Sequence, residues 1–192
     1  MDIQKIREDI VFKEVLRGAE FVFHSTWGLF SPRGVDKGSK LLIDQMKVNK
    51  DDNCLDLGCG YGPIGMVMAK LAPEGKTYLI DKDFVAVDYT KKNIELNGIT
   101  NCEVLLSNAF SNVGNLKFDL IASNLPANVG KELLYIILFD AHAHLNKDGR
   151  LYVVTIAGLR NFIKRYFIEV FGNYKKVKQS SGYSVALAIK AG

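Results

Sequence analysis

Short, unbroken apolar runs alternate along this chain with longer stretches in which apolar residues return every three or four positions. The runs at 55–57, 77–80, 102–106, 118–123 and 150–154 are the length of strands. The amphipathic stretches carry Leu41, Leu42 and Met46; Ile64, Val67, Met68 and Leu71; Val87, Ile94 and Leu96; Leu133, Ile136, Ile137 and Leu138; and a last series from Leu159 to Phe171. Strand and helix in alternation predict an α/β domain whose parallel sheet is buried on both faces. Local signals agree with that frame. Pro63 suits a first helical turn, Asp83 an N-cap, and Asn97-Gly98 a helix stop. Residues 174–178 and 183–189, around Ser180-Ser181-Gly182, predict an antiparallel hairpin at the end of the sheet. Residues 1–24 alternate loosely, so a hairpin turning at Gly18 and a helix over the first sixteen residues are both open.

Composition narrows the class without naming a function. At 192 residues, 48% hydrophobic and 24% charged, one soluble domain over 1–192 is expected, with residues 1–35 as an extension and a pocket-covering loop. No apolar stretch approaches a membrane span, and Met1-Asp2-Ile3-Gln4-Lys5 does not open a secretory signal. Cys54, Cys59 and Cys102 are odd in number and lack C-x-x-C spacing, so reduced thiols in a cytoplasmic protein are expected and a metal site is not. His24 has no carboxylate close in sequence, and His142 and His144 cannot share a helix face. His24 is therefore given no catalytic role, and His142 and His144 are read as sitting at a fraying helix end and not as a metal pair. The net charge of +4 permits an acidic partner such as RNA.

Chemistry concentrates where the run at 55–57 breaks into Gly58-Cys59-Gly60-Tyr61-Gly62-Pro63-Ile64-Gly65. The segment from Gly60 matches G-x-G-x-x-G, which opens a dinucleotide reading. Asp56 argues against it, because a carboxylate ahead of the loop would repel a pyrophosphate and would favour the cationic methionine end of S-adenosylmethionine. Asp81 ends the next strand about 20 positions beyond the loop, where a carboxylate meets the ribose hydroxyls of an adenosine.

The pattern apolar-Asp-Leu-Gly-Cys-Gly-x-Gly resembles motif I of the class I methyltransferases. The stretch Gly28-Leu29-Phe30-Ser31, a short gap, then Val35-Asp36-Lys37-Gly38-Ser39 resembles the segment ahead of that motif in the small-subunit ribosomal RNA guanine-N2 methyltransferases and their single-domain archaeal relatives. The resemblance runs from about Phe21 to the last hairpin. It implies a doubly wound Rossmann-like fold, a mostly parallel seven-stranded sheet with a C-terminal antiparallel hairpin, and S-adenosylmethionine as cofactor. It implies cofactor contacts at Phe30, Asp36, Gly38, Asp56, Gly58, Cys59, Gly60, Gly62, Asp81, Lys82, Asn108, Ala109 and Asn124. Asp36 is equally well read as the N-cap of the helix that follows. Asn108 stands where such enzymes usually carry aspartate, and its amide oxygen can still accept from the adenine amino group.

Asn124-Leu125-Pro126-Ala127 stands where those relatives have Asn-Pro-Pro and then an aromatic or aliphatic residue. By that resemblance Asn124, Leu125 and Pro126 are catalytic. The asparagine oxygen and a backbone carbonyl would accept the two N–H bonds of an exocyclic amine and aim its lone pair. Leu125 in place of proline is expected to leave that carbonyl less securely fixed. Substrate contacts are expected at Phe30, Ser31, Arg33 and Ala127, and along the basic set Lys164, Arg165, Lys175 and Lys176, which a solvated face would explain equally. A guanine N2 in structured rRNA or tRNA is the leading substrate. Guanine N7, a small molecule, a protein glutamine, and a non-catalytic S-adenosylmethionine-binding role remain open.

Overall fold

A computed structural model describes residues 3–126 and 129–192. A short helix α1 (Ile3–Arg7) leads into the hairpin β1 (Ile10–Leu16) and β2 (Ala19–Ser25). The chain reverses at Arg17-Gly18, with φ of 51° and 80°. Two left-handed residues twist a tight turn in the sense its strands already twist, so the hairpin reading holds over the helical one.

Helices and strands then alternate: α2 (Lys37–Gln45), β3 (Cys54–Leu57), α3 (Pro63–Leu71), β4 (Thr77–Asp81), α4 (Phe84–Leu96), β5 (Cys102–Leu106), β6 (Phe118–Asn124), α5 (Lys131–His144), β7 (Leu145–Ile156), α6 (Arg160–Phe171), β8 (Lys175–Gln179) and β9 (Tyr183–Ile189). Among the described residues, β3 to β9 form one seven-stranded sheet in the order β5-β4-β3-β6-β7-β9-β8. The first five are parallel, and β9 enters antiparallel between β7 and β8. Chain order reverses between β3 and β6, which opens a crevice beyond their carboxyl ends.

Neighbouring residues of a strand point to opposite faces, and each face has its own core. Leu120 and Ala122 of β6 pack with Phe21, Phe23, Leu42 and Met66. Phe118 and Ile121 of the same strand pack with Leu55, Leu138 and Phe167. The hairpin is fastened to α4 by side chains. Asn97 accepts from the Val22 N–H and donates to its carbonyl at 2.9 and 2.8 Å, and Asn93 does the same to His24 at 2.7 and 2.9 Å.

His142 and His144 stand in the last turn of α5, the helix end where they were expected, and each histidine has a partner. His24 has a carboxylate after all, with Nδ1 2.8 Å from Asp9, a residue that also meets Tyr89 and Lys92. His142 and His144 are packed: His142 sits edge-on to Phe171, and His144 stacks on Phe110 with Nδ1 2.9 Å from the Leu116 carbonyl. Among the described residues, no helix is long and apolar enough to cross a membrane.

Candidate functional site

The glycine loop is held from behind and open in front. Gly58 and Cys59 donate their N–H groups to the Ile80 carbonyl at 2.9 and 3.0 Å, Gly60 donates to Asp81 Oδ2 at 2.9 Å, and Thr90 Oγ1 donates to the Gly60 carbonyl at 2.7 Å. Gly58 and Gly60 have φ of 76° and 59°, and a Cβ on either would meet nothing within 4 Å. Their bare surface lines a cavity of ≈ 580 Å³ at the carboxyl ends of β3, β4 and β6. Gly62 and Gly65 have another task. A Cβ on Gly65 would lie 2.3 Å from Leu79, and one on Gly62 would crowd Met66 and Thr90 at 3.3 Å. Gly62, expected at the cofactor, instead lets α3 pack close.

Asp56 also departs from its expected place. Fully buried in β3, it does not line the cavity; its Oδ2 accepts the Gly65 N–H at 2.7 Å, and Oδ1 has no partner among the described residues. It braces the start of α3. The reason is the pleat: Leu57 reaches the cavity, so the preceding side chain enters the opposite layer. Burial pushes the Asp56 carboxyl up to about 7, with Asp81 adding to the rise and the Gly65 N–H opposing it. Cys59 does line the cavity, and burial raises its thiol well above the ordinary range.

At the other end, Asp81 accepts from Gly60 with one oxygen and from the Asp83 N–H, 3.0 Å away, with the other. Lys82, Asn108 and Ala109 line the cavity beside it. Ser107 shapes that turn by donating to the Ala109 carbonyl at 2.6 Å, which holds Ala109 at φ 49°.

The segment between β2 and α2 contributes Gly28, Leu29, Val35 and Asp36 to the cavity wall. Phe30, 68% exposed, and Ser31 line the cavity, whereas Arg33 lies 4.6 Å over the Trp27 ring and does not. The Tyr61 hydroxyl ties this loop to the glycine loop, sharing its proton between the carbonyls of Gly34 at 3.0 Å and Ser31 at 3.2 Å. Asp36 caps α2 through the N–H groups of Gly38 and Ser39, as one of its two readings expects, and it also lines the cavity. Gly38 is outside the lining. Its missing side chain makes room for the Tyr183 ring, which a Cβ would approach to 2.7 Å.

Asn124 ends β6 facing this constellation. Its Nδ2 donates to Asp36 Oδ2 at 2.9 Å and to Ser39 Oγ at 3.0 Å, and no described residue donates to its Oδ1. Leu125 is not a loosened joint. Its N–H donates to the Val154 carbonyl at 3.0 Å, which extends the β6–β7 ladder by a bond proline cannot make, and its side chain is buried at the cavity wall. Pro126 is exposed at the lining, and Ala127 lies outside the described residues.

Lys164, Arg165, Lys175 and Lys176 do not line the cavity. The first two stand on α6, the others on β8, three strands from β6 in the sheet. Lysines on an outermost strand keep it from pairing with a foreign strand, which accounts for Lys175 and Lys176 without a ligand. Sequence reasoning missed Tyr61 and Ser39. The first filled a variable position of the glycine motif, and the second interacts across 85 positions.

The cavity is compatible with S-adenosylmethionine: two glycines leave it open, Asp81 and Asn108 line one end of it, and Lys82 is the one lysine or arginine among its described lining residues. The matching family model, over residues 20–187, is the methyltransferase small domain. The uncharacterized protein YbxB of Bacillus subtilis (strain 168) is 36% identical over 179 residues, 91% of this chain and 89% of that protein. The 16S rRNA N2 G1207 methyltransferase RsmC of T. thermophilus, solved with AdoMet and guanosine, superposes with a TM-score of 0.85 at 26% identity. That match covers 94% of this chain, which spans 50% of the solved protein. The ribosomal protein L11 methylase of Lactobacillus delbrueckii subsp. bulgaricus shares the fold, with a TM-score of 0.69 at 23% identity over 86% of this chain and 84% of that one.

Proposed function

Because the chain belongs to the methyltransferase small-domain family, it is an S-adenosylmethionine-dependent methyltransferase, and we propose that its acceptor is the exocyclic N2 amine of a guanine in structured RNA. The observation that carries this reading is Asn124, set at the strand end beside the glycine loop with Oδ1 left to accept.

When bound, the cofactor supplies an electrophilic methyl group on a sulfonium. Asp81 and Asn108 would hold the adenosyl end, the carboxylate through ribose hydroxyls and the amide oxygen through the adenine amino group. Gly58 and Gly60 let the backbone approach. Asn124 Oδ1 would take one N–H of the target amine, and a backbone carbonyl next to it the other, so that the nitrogen lone pair is aimed before reaction. The same oxygens stabilise positive charge developing on that nitrogen, so no base has to act first. Phe30 and Pro126, both exposed at the cavity, offer apolar faces to a base turned out of its stack. Leu57 and Leu125 line the wall and exclude water.

The likeness to a guanine-N2 enzyme across 94% of this chain supports the choice of nucleobase. The test is transfer of radiolabelled methyl to separated rRNA and tRNA fractions, with nucleoside digestion and Asn124→Ala alongside. N2-methylguanosine that disappears in the variant is expected. Label appearing on protein or small amides, and none on RNA, would replace the RNA substrate.

A further inference from the structure

The Asn124 amide is oriented by its neighbours, and the chemistry of those neighbours decides which way. A carboxylate oxygen only accepts, so the atom 2.9 Å from Asp36 Oδ2 has to be the N–H bearing nitrogen. Ser39 Oγ, 3.0 Å away, accepts from the same group. Asp36 itself cannot turn, because Oδ1 accepts the Gly38 N–H at 2.7 Å and Oδ2 the Ser39 N–H at 3.1 Å. The backbone beneath Asn124 is pinned by the Leu125–Val154 bond.

We infer that Asp36 is a positioning residue that sets the hydrogen-bond polarity of the methyl-acceptor site, making it a receptor for an N–H donor and not for a bare ring nitrogen. This rests on the reading of Asn124 as the group that meets the substrate. An exocyclic amine offers two N–H bonds and is received. Guanine N7 offers only a lone pair, which would face the lone pairs of Oδ1. Oδ1 is the one polar atom of the side chain left for the substrate.

Asp36→Asn tests the assignment and keeps the Gly38 half of the helix cap, since an asparagine oxygen accepts that N–H as aspartate does, while the Ser39 N–H loses its acceptor Oδ2. With its oxygen kept on Gly38, the new amide turns its N–H toward Asn124 and forces that side chain to flip, sending Nδ2 into the cavity. Expected is a fall in kcat of about 100-fold, with the S-adenosylmethionine dissociation constant nearly unchanged and the melting temperature lowered by only a few degrees for the lost cap bond. The exchange D36N/N124D reverses donor and acceptor across the same contact and again presents an oxygen to the cavity; recovery of at least about tenfold over D36N is expected.

A readout independent of transfer is the Asn124 side-chain amide in the cofactor-free protein, assigned by its loss in N124D. Slow proton exchange there in the wild type, and its loss in D36N, supports the clamp. Fast exchange in the wild type overturns it. So does wild-type turnover in D36N, a loss of cofactor affinity that accounts for the whole effect, no recovery in the exchanged pair, or N7-methylguanosine as the wild-type product. Protected amide protons with no transfer to RNA by the wild type would instead remove the RNA reading and leave the polarity of the site standing.

Discussion

The Leu125 N–H donates to the Val154 carbonyl at 3.0 Å, one residue beyond the point where the asparagine side chain leaves β6. Two devices can fix a backbone there, a proline ring or a ladder hydrogen bond, and this chain uses the second. Leu125→Pro would restore a family-like Asn-Pro-Pro yet remove that bond and part of a buried side chain. Destabilisation by about 2–3 kcal/mol in urea unfolding is expected. Unchanged stability would mean that the bond does not hold this strand end.

The glycines of one loop should separate into two phenotypes. Gly58→Ala places a methyl group in open cavity space at φ 76°, so it should weaken S-adenosylmethionine binding at a backbone cost of about 1–2 kcal/mol. Gly65→Ala drives a methyl group into Leu79 and should damage folding itself. Calorimetric titration and thermal unfolding of both variants distinguish the two; equal loss of cofactor binding at equal stability would contradict the division.

Much of this was legible in the chain, and what was not shares a cause. Hairpins, caps and the glycine turn are written in neighbouring residues, so their signals are local. The Asp36–Asn124 bond spans 88 positions, and nothing near either residue announces the other. Asp56 misled for a different reason. In a strand buried on both faces the hydrophobic run has no alternation, and without alternation the direction of a lone carboxylate is undetermined. Gly38 and Gly62 look like cofactor glycines because a glycine required by a neighbouring side chain is spelled the same as one required by a ligand.

Asp56 should leave a pH signature on stability. Its carboxyl is raised from 3.8 to about 7 in the fold, so the folded state holds this proton more tightly than the unfolded chain. The resulting stabilisation is complete below about pH 4 and is lost as pH rises through about 7. The melting temperature of the wild type should fall across that window relative to Asp56→Asn, which stays neutral throughout. Parallel pH profiles for the two proteins would refute a raised carboxyl.

Tyr61→Phe should loosen the segment that carries Ser31 and Gly34 and little else. The hydroxyl is the link to the Ser31 and Gly34 carbonyls, while the ring stays packed against Phe12 and Phe23. A loss of about 1 kcal/mol is expected. Amide hydrogen exchange across residues 28–35 should quicken, and exchange in the core of β3 and β6 should not.

Asn93 and Asn97 fasten β2 by imitating peptide groups, and the imitation works because two periodicities nearly coincide. Four residues of helix advance about 6 Å, and two residues of strand advance about 6.6 Å. A helix can therefore present amides to alternate residues of an adjacent strand and act as its missing neighbour. The mismatch of about 0.6 Å per step accumulates, so a helix can pose as a strand for only a few residues. The hairpin is thus held by a vernier whose useful length is short, and lengthening β2 would not lengthen its grip on α4.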